Sequence, residues 1–278
     1  MFNIKPERLV QPSIGQGPSG EIFLYQKSPQ DSRWVVKCLK VDKIEDLLRC
    51  LPEIVLGFSC DHPSIVPIRG YSIEPKDDKH NIYLKLPRMT GGNLADELKR
   101  RNQEELYFSE NELVEHFYAL ISAVAYLHSK KISHGDLKIQ NILLDEKGDL
   151  KLCNIGSGRF TPADVNYKAP EIVHQSEKSI LKREHLHLAD SWSLGLVMLE
   201  MCTLESKLID PSDSVQVIEE SLQKIRKEAE KRYSDVLLEI IFGLLKTDPT
   251  QRLRVSTTKT QMEGSFQQIL VRQFERNA

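Results

Sequence analysis

The 278-residue chain is long enough for one or two domains with a large core of their own. Apolar residues make up 40% and charged residues 28%, an ordinary balance for a globular protein that argues against wholesale disorder. The 38 basic and 40 acidic side chains nearly cancel, so a net charge of −2 gives no overall electrostatic case for nucleic acid or an anionic membrane surface.

Cys38, Cys50, Cys60, Cys153 and Cys202 are odd in number and hold no C-x-x-C pair. That speaks against a disulfide framework or a zinc module and fits a reducing setting. The opening MFNIKPERLV lacks the apolar stretch of a signal peptide. The apolar runs Leu194–Met201 and Val236–Leu245 are interrupted by glutamate and too short to span a bilayer. A cytoplasmic or nuclear protein is expected, neither secreted nor membrane-inserted.

In chain order, Ile22–Tyr25 and Trp34–Leu39 read as strands separated by the turn residues Ser28-Pro29-Gln30-Asp31. Asp42–Phe58 carries Leu47, Leu48, Leu51 and Val55 at helical spacing, and Pro52 within it predicts a kink or a late start. Ile65–Tyr71 and Ile82–Leu86 read as further strands, with EPKDDKHN as a hairpin loop. Beyond Asn93 the pattern turns mainly helical. Glu110–Ser129 is predicted as a long helix opened by Ser109 and Glu112 at capping-box spacing. Leu188–Cys202, Ser214–Lys227 and Tyr233–Leu245 are further helix candidates, and Met262–Phe274 has some helical periodicity. Only Ile142–Leu144 and Leu150–Cys153 look like strands in this half. The seam between the strand-rich and helix-rich parts falls near Pro87–Gly92.

Three motifs carry chemistry. Gly15-x-Gly17-x-x-Gly20 is followed by Glu21–Tyr25, which is strand-like, so neither a Rossmann turn nor a P-loop fits. A glycine hairpin over phosphates and a plain β-turn both remain open. In Val35-Val36-Lys37 the lysine sits among apolar strand residues. It is either solvated at an edge or buried and in need of an anion, for which Glu53 is the candidate. His134-Gly135-Asp136-Leu137-Lys138-Ile139-Gln140-Asn141 presents an acid, a base and an amide in one segment. Asp136 could accept a hydroxyl proton, Lys138 neutralise a phosphate and Asn141 hold a metal; equally, Asp136 and Asn141 could simply brace the loop.

Together with Lys168-Ala169-Pro170-Glu171, Asp190-x-Trp192-Ser193-x-Gly195 and Asp248-Pro249-x-x-Arg252, these motifs resemble a eukaryotic-type protein kinase domain of serine/threonine type, over nearly the whole chain. The resemblance implies an α+β bilobal fold. Residues 1–89 would form a small β-rich lobe with one main helix, and 90–278 a larger, mostly helical lobe. It implies an ATP pocket of Ile14, Gly15, Gly17, Gly20, Ile22, Val35, Lys37, Glu53, Leu86, Met89 and Leu143, with Leu86 as gatekeeper. Asp136 and Lys138 would be catalytic, Asn141 and Asn154 would stand at the metal positions, Glu171 would pair with Arg252, and Asp190 would brace the catalytic loop. A protein substrate or protein partner follows; the oligomeric state does not.

The departures point to a degenerate, pseudokinase-like member. Asn154-Ile155-Gly156 stands where the family has D-F-G, so neither metal position brings a carboxylate, and Mg²⁺ prefers anionic oxygen. Weak ATP binding with little help from Mg²⁺ or Mn²⁺ is expected. Gly135 replaces the arginine that receives an activation-loop phosphate, and the segment from Asn154 to Glu171 is short for a substrate platform. Asp164 falls where a pairing with Lys138 is expected. Gly57 replaces a bulky residue and predicts a void or a shifted helix. Val35 narrows the adenine pocket slightly. Cys153 is expected to be a buried, inert thiol, and His185 and His187 to be solvated beside Lys182 and Arg183.

Overall fold

The computed structural model describes residues 4–17, 20–26, 28, 32–76, 79–156, 165–174 and 182–264. The chain divides into two compact units, Met1–Gly92 with Leu143–Pro162, and Asn93–Ile142 with Ala163–Ala278.

In the first unit, strands β1 (Leu9–Gly17), β2 (Gly20–Tyr25), β3 (Trp34–Val41), β4 (Gly70–Lys76) and β5 (Lys79–Pro87) form one sheet in the order β1-β2-β3-β5-β4. Every neighbouring pair is antiparallel. The two-residue period of a strand sorts the side chains onto two faces. Phe23, Tyr25, Val36, Cys38 and Tyr83 cluster with Ile4 on one face. Leu39, Val41, Ile82 and Leu84 pack on the other with Cys50 of α1 (Ile44–Ser59) and with Ile68.

Four local expectations are corrected by this unit. β1 precedes the first strand read from the sequence; Pro12 and a register shift between Val10 and Gly15 break the alternation that would have marked it. Helix α1 starts at Ile44 and continues through Pro52, so the late start is not seen. The carbonyl that Pro52 deprives of an N–H belongs to Leu48, whose side chain is 50% exposed on a face where water can serve it. The apolar run at Ile65 is not a sheet strand. Val66 donates its N–H to the Leu152 carbonyl at 2.8 Å and Leu152 donates to Ser64 at 2.8 Å, so the segment pairs with β7 (Leu150–Leu152) while β4 begins only at Gly70. Much of the expected EPKDDKHN loop is strand, since the β4–β5 register runs as far as Lys76 opposite Lys79.

No void lies beside Gly57. A Cβ there would stand 2.4 Å from Ile68 Cδ1 and 2.6 Å from its Cγ1, because Ile68 fills the place a larger side chain would take. The Ile68 N–H donates to the Gly57 carbonyl at 3.1 Å, fixing the close approach. The short strand β6 (Ile142–Leu144) pairs with β7. It is held through Leu144, which exchanges backbone hydrogen bonds with Gly91 and Gly92.

The second unit is helical. It contains α2 (Leu94–Gln103), α3 (Glu110–Ser129), the single turn α4 (Pro170–Val173), α5 (Arg183–Thr203), α6 (Val215–Ala229), α7 (Asp235–Leu244), and a helix over residues 255–264, here α8. The expected capping box is present: Glu112 N–H donates to Ser109 Oγ at 3.3 Å, and Ser109 N–H donates to Glu112 Oε2 at 2.8 Å. α2, unmarked by its polar sequence, is capped by Asn93, whose Oδ1 accepts from Asp96 N–H at 2.9 Å. α5 is buried on nearly every side, with Trp192, Leu194, Val197, Met198 and Leu199 at 0% exposure, which makes it the core helix of this unit.

Candidate active site

In the first unit, the Lys37 face of the sheet gathers the expected pocket residues by register. Ile22 lies opposite Lys37, and Leu86 opposite Val35. Ile22, Val35 and Leu86 are half-buried, as are Met89 and Leu143, whereas Ile14 is exposed. Gly15 pairs with Ile22 and Gly17 with Gly20, so the glycines form the expected hairpin. Gly20 is required sterically: a Cβ would come within 2.0 Å of the Cys38 carbonyl oxygen. The Arg88 N–H is spent on the Arg33 carbonyl at 2.8 Å. Cys153 is half-buried rather than buried, because its strand ends at Leu152.

Lys37 is 5% exposed, as a strand-interior lysine with an anionic partner should be. Its ammonium donates to Glu53 Oε1 at 2.6 Å and to Asn154 Oδ1 at 3.0 Å. Asn154 has φ +61, a left-handed conformation that asparagine tolerates better than most residues. Packing holds the same segment against α1. Ile155 is 4% exposed, and a Cβ on Gly156 would meet Leu56 Cδ1 at 2.9 Å and Pro52 Cβ at 3.3 Å. The bond from Lys37 to Asn154 is absent from the sequence reading, which gave Asn154 only to a metal.

In the second unit, the loop from His134 to Asn141 is built around two carboxylates. Asp190, 3% exposed on α5, accepts from the backbone N–H of His134 and of Gly135, each at 2.9 Å. Gly135 has φ +80, where glycine is unstrained. A third bond joins Asp190 Oδ2 to His128 Nε2 at 2.9 Å. These bonds hold the Asp190 carboxyl below the usual carboxylate range despite its burial. The expected brace is therefore present, with His128 as a further member. No local signal in the sequence joins the last turn of α3 to α5.

The second carboxylate is Asp136, 8% exposed. Lys138 Nζ lies 3.0 Å from its Oδ2, and Asn141 Nδ2 donates to that oxygen and to the Asp136 carbonyl, both at 2.7 Å. Asp164, the partner expected for Lys138, lies outside the described residues. Arg252, with a side chain at 0% exposure, grips Glu171 through two parallel bonds of 2.7 and 2.8 Å, the expected pair.

Sequence comparison places these features in a family. Residues 9–263 match the protein kinase domain, and the chain belongs to that family, with its α+β bilobal fold. Human ribosomal protein S6 kinase alpha-3 is 34% identical over 206 residues, covering 68% of this chain and 26% of that protein. Ribosomal protein S6 kinase 2 alpha of Xenopus laevis is 30% identical over 258 residues, covering 86% of this chain and 32% of that protein. The serine/threonine-protein kinase AtPK2/AtPK19 of Arabidopsis thaliana is 28% identical over 257 residues, covering 86% of this chain and 50% of that protein. The chain thus spans between a quarter and a half of these relatives. Membership of this family implies a fold that binds ATP. Among the described residues, no helix is long and apolar enough to cross a membrane.

Proposed function

We propose that this kinase domain has an impaired metal site, binds ATP weakly, transfers phosphate poorly or not at all, and acts as a scaffold or allosteric regulator of a partner protein. The observation that carries this reading is Asn154, whose amide oxygen accepts from Lys37 where the family has a carboxylate. Asn141, the other metal candidate, gives its amide nitrogen to Asp136. A neutral amide at either position is a poor ligand for a hard divalent ion. These residues do not fit a resident Mg²⁺ or Mn²⁺. ATP itself fits better: in the first unit Lys37 is a cation suited to phosphate oxygens, and Ile22, Val35 and Leu86 share its face of the sheet as an apolar surface for a base.

A second reading, an active serine/threonine kinase with Asp136 as base and Asn154 as a weak metal ligand, is favoured by the closed Lys37–Glu53 pair. Against it, both Lys138 and Asn141 engage Asp136 Oδ2, so a substrate hydroxyl would have to displace a partner to reach that oxygen.

Thermal-shift titration with ATP, with and without Mg²⁺ or Mn²⁺, tests the reading, because stabilisation reports binding independently of turnover. A modest shift with ATP, little changed by metal, is expected. Tightening of ATP by more than about tenfold on adding Mg²⁺, a gain of about 1.4 kcal/mol, would overturn the account of Asn154.

A further inference from the structure

Helix α1 carries two apolar faces, and the sheet covers one of them. On the inner side Cys50, with Leu47 and Ile54 partly buried, packs on Leu39, Ile82 and Leu84. On the outer side stand Leu48, Leu51, Val55 and Phe58, at successive spacings of three, four and three residues.

Strand β4 extends the outer surface. It lies at the edge of the sheet and pairs with β5 alone. Tyr71 stands opposite Leu84 and Ile73 opposite Ile82, so both project on the α1 side. The Tyr71 ring meets the Phe58 ring edge-on, with centroids 5.7 Å apart and planes at 75°. All six residues are between 38% and 57% exposed. A single exposed apolar side chain needs no explanation, but a run of neighbours does. Together they leave on the order of 500 Å² open, near the top of the range for the largest apolar patch on a monomer.

Two properties of the patch select its occupant. The three-four-three spacing is the a/d pattern of a helix seam, which seats best against another helix. That spacing is also unchanged when read backwards, so the seam is complementary to an antiparallel copy of itself. The area agrees: an interface of standard size takes about 800 Å² from each partner, about 65% of it apolar between identical chains. The patch matches that apolar share.

We propose that α1 and β4 form a two-fold interface between two copies of this chain, with the α1 seams packed antiparallel. About an axis between Leu51 and Val55, Leu51 of one copy meets Val55 of the other. Leu48 meets Phe58 in the outer layers, and Tyr71 and Ile73 flank the seam. Each contact occurs twice, as an isologous interface requires, and the two helix macrodipoles run in opposition, the favourable order. Glu53, the Lys37 partner, lies on the buried side of the same helix, so pairing on the outer side steadies the element that holds this ion pair. Pairing does not depend on what occupies the metal positions.

Sedimentation velocity of the whole chain over about 1–100 μM tests the interface, since interfaces of this size bind at micromolar affinity or tighter. Dimer is expected to predominate at the top of that range. Val55→Glu, at a position open to solvent in the monomer, should fold as the parent does by circular dichroism and weaken association by about tenfold or more, because pairing would bury its charge. Adding Leu51→Lys sets an ammonium against each glutamate across the axis and should recover most of that loss. Val236→Glu, which changes a similarly exposed valine on α7, should leave association unchanged. A chain that stays monomeric at the top of the range would overturn the proposal and assign the face to a different protein. If removal of residues 265–278 then let it dimerise, the occupant would be the chain's own C-terminal segment. The proposal also fails if Val236→Glu dissociates the dimer as strongly as Val55→Glu, or if Leu51→Lys brings no recovery.

Discussion

At Asn154 a single oxygen-for-nitrogen exchange removes a charge beside a buried lysine. Asn154→Asp keeps a residue type that tolerates φ +61 and returns a carboxylate to within reach of Lys37. It should raise metal-dependent ATP affinity by about tenfold or more, yet leave phosphorylation of a generic peptide poor, because Gly135 and the short segment before Glu171 are unchanged. ATP titrations with and without Mg²⁺, beside a peptide phosphorylation assay, check both halves; robust turnover by this variant would contradict the second. Lys37 tests the opposite side of the same group. Lys37→Met strands the buried Glu53 carboxylate, and breaking a buried pair in this way costs about 3–5 kcal/mol. Adding Glu53→Leu should recover much of that loss in urea unfolding while ATP binding stays weak. If the double variant were no more stable than the single one, the cost would lie in lost packing rather than in an unpaired charge.

At the scale of elements, what could be read from the sequence was local. Ser109 and Glu112 announce the start of α3 because a capping box is complete within four residues, and the glycine hairpin is marked by the strand-like residues that follow it. The Lys37–Glu53 pair was legible because an apolar strand demands a counter-charge for its lysine. Non-local preferences decided the rest. The apolar run at Ile65 serves β7 instead of the sheet, since Leu152 arrives from far along the chain to take its hydrogen bonds. His187, set among charged neighbours in the sequence, is half-buried because α5 begins at Arg183 and turns this position onto His128. Gly57 likewise cannot reveal from sequence that Ile68 fills its place. Gly57→Ala would drive a Cβ to 2.4 Å from Ile68 Cδ1. Overpacking of that kind typically costs about 1–3 kcal/mol, offset in part by the roughly 0.5–1 kcal/mol that alanine gains over glycine within a helix. A net loss on the order of 1 kcal/mol is expected in chemical denaturation, recovered when Ile68→Val is added. A Gly57→Ala variant more stable than the parent would show instead that the space is open.

Among the described residues, the shifted groups that bear on acid sensitivity include two sets with separate pH windows. The first is His187, held near 4 against an ordinary 6.5 by burial and by neighbouring positive charge. The unfolded chain protonates this imidazole at a pH where the folded protein does not. Its contribution is therefore present above about 6.5 and is lost as pH falls towards 4, by up to about 1.4 kcal/mol per pH unit. The second set is the carboxylates held below their usual range. Asp190 is bonded to His128 and to the backbone N–H groups of His134 and Gly135, and Glu97 and Asp145 are lowered chiefly by bonds to arginine and by backbone N–H and lysine bonds, respectively. For these groups stability is present above the unfolded value, near 3.8 for Asp190, and is lost only below it. His187→Phe keeps an aromatic ring to stack on His128 and removes the titrating nitrogen. Urea unfolding from pH 7 downward should show the parent losing stability between about 6.5 and 4, while the variant stays nearly level through that interval and both decline together below it. An identical decline of the two proteins between those values would mean that His187 charges freely in the folded state, and the stacked pair would then contribute nothing to acid sensitivity.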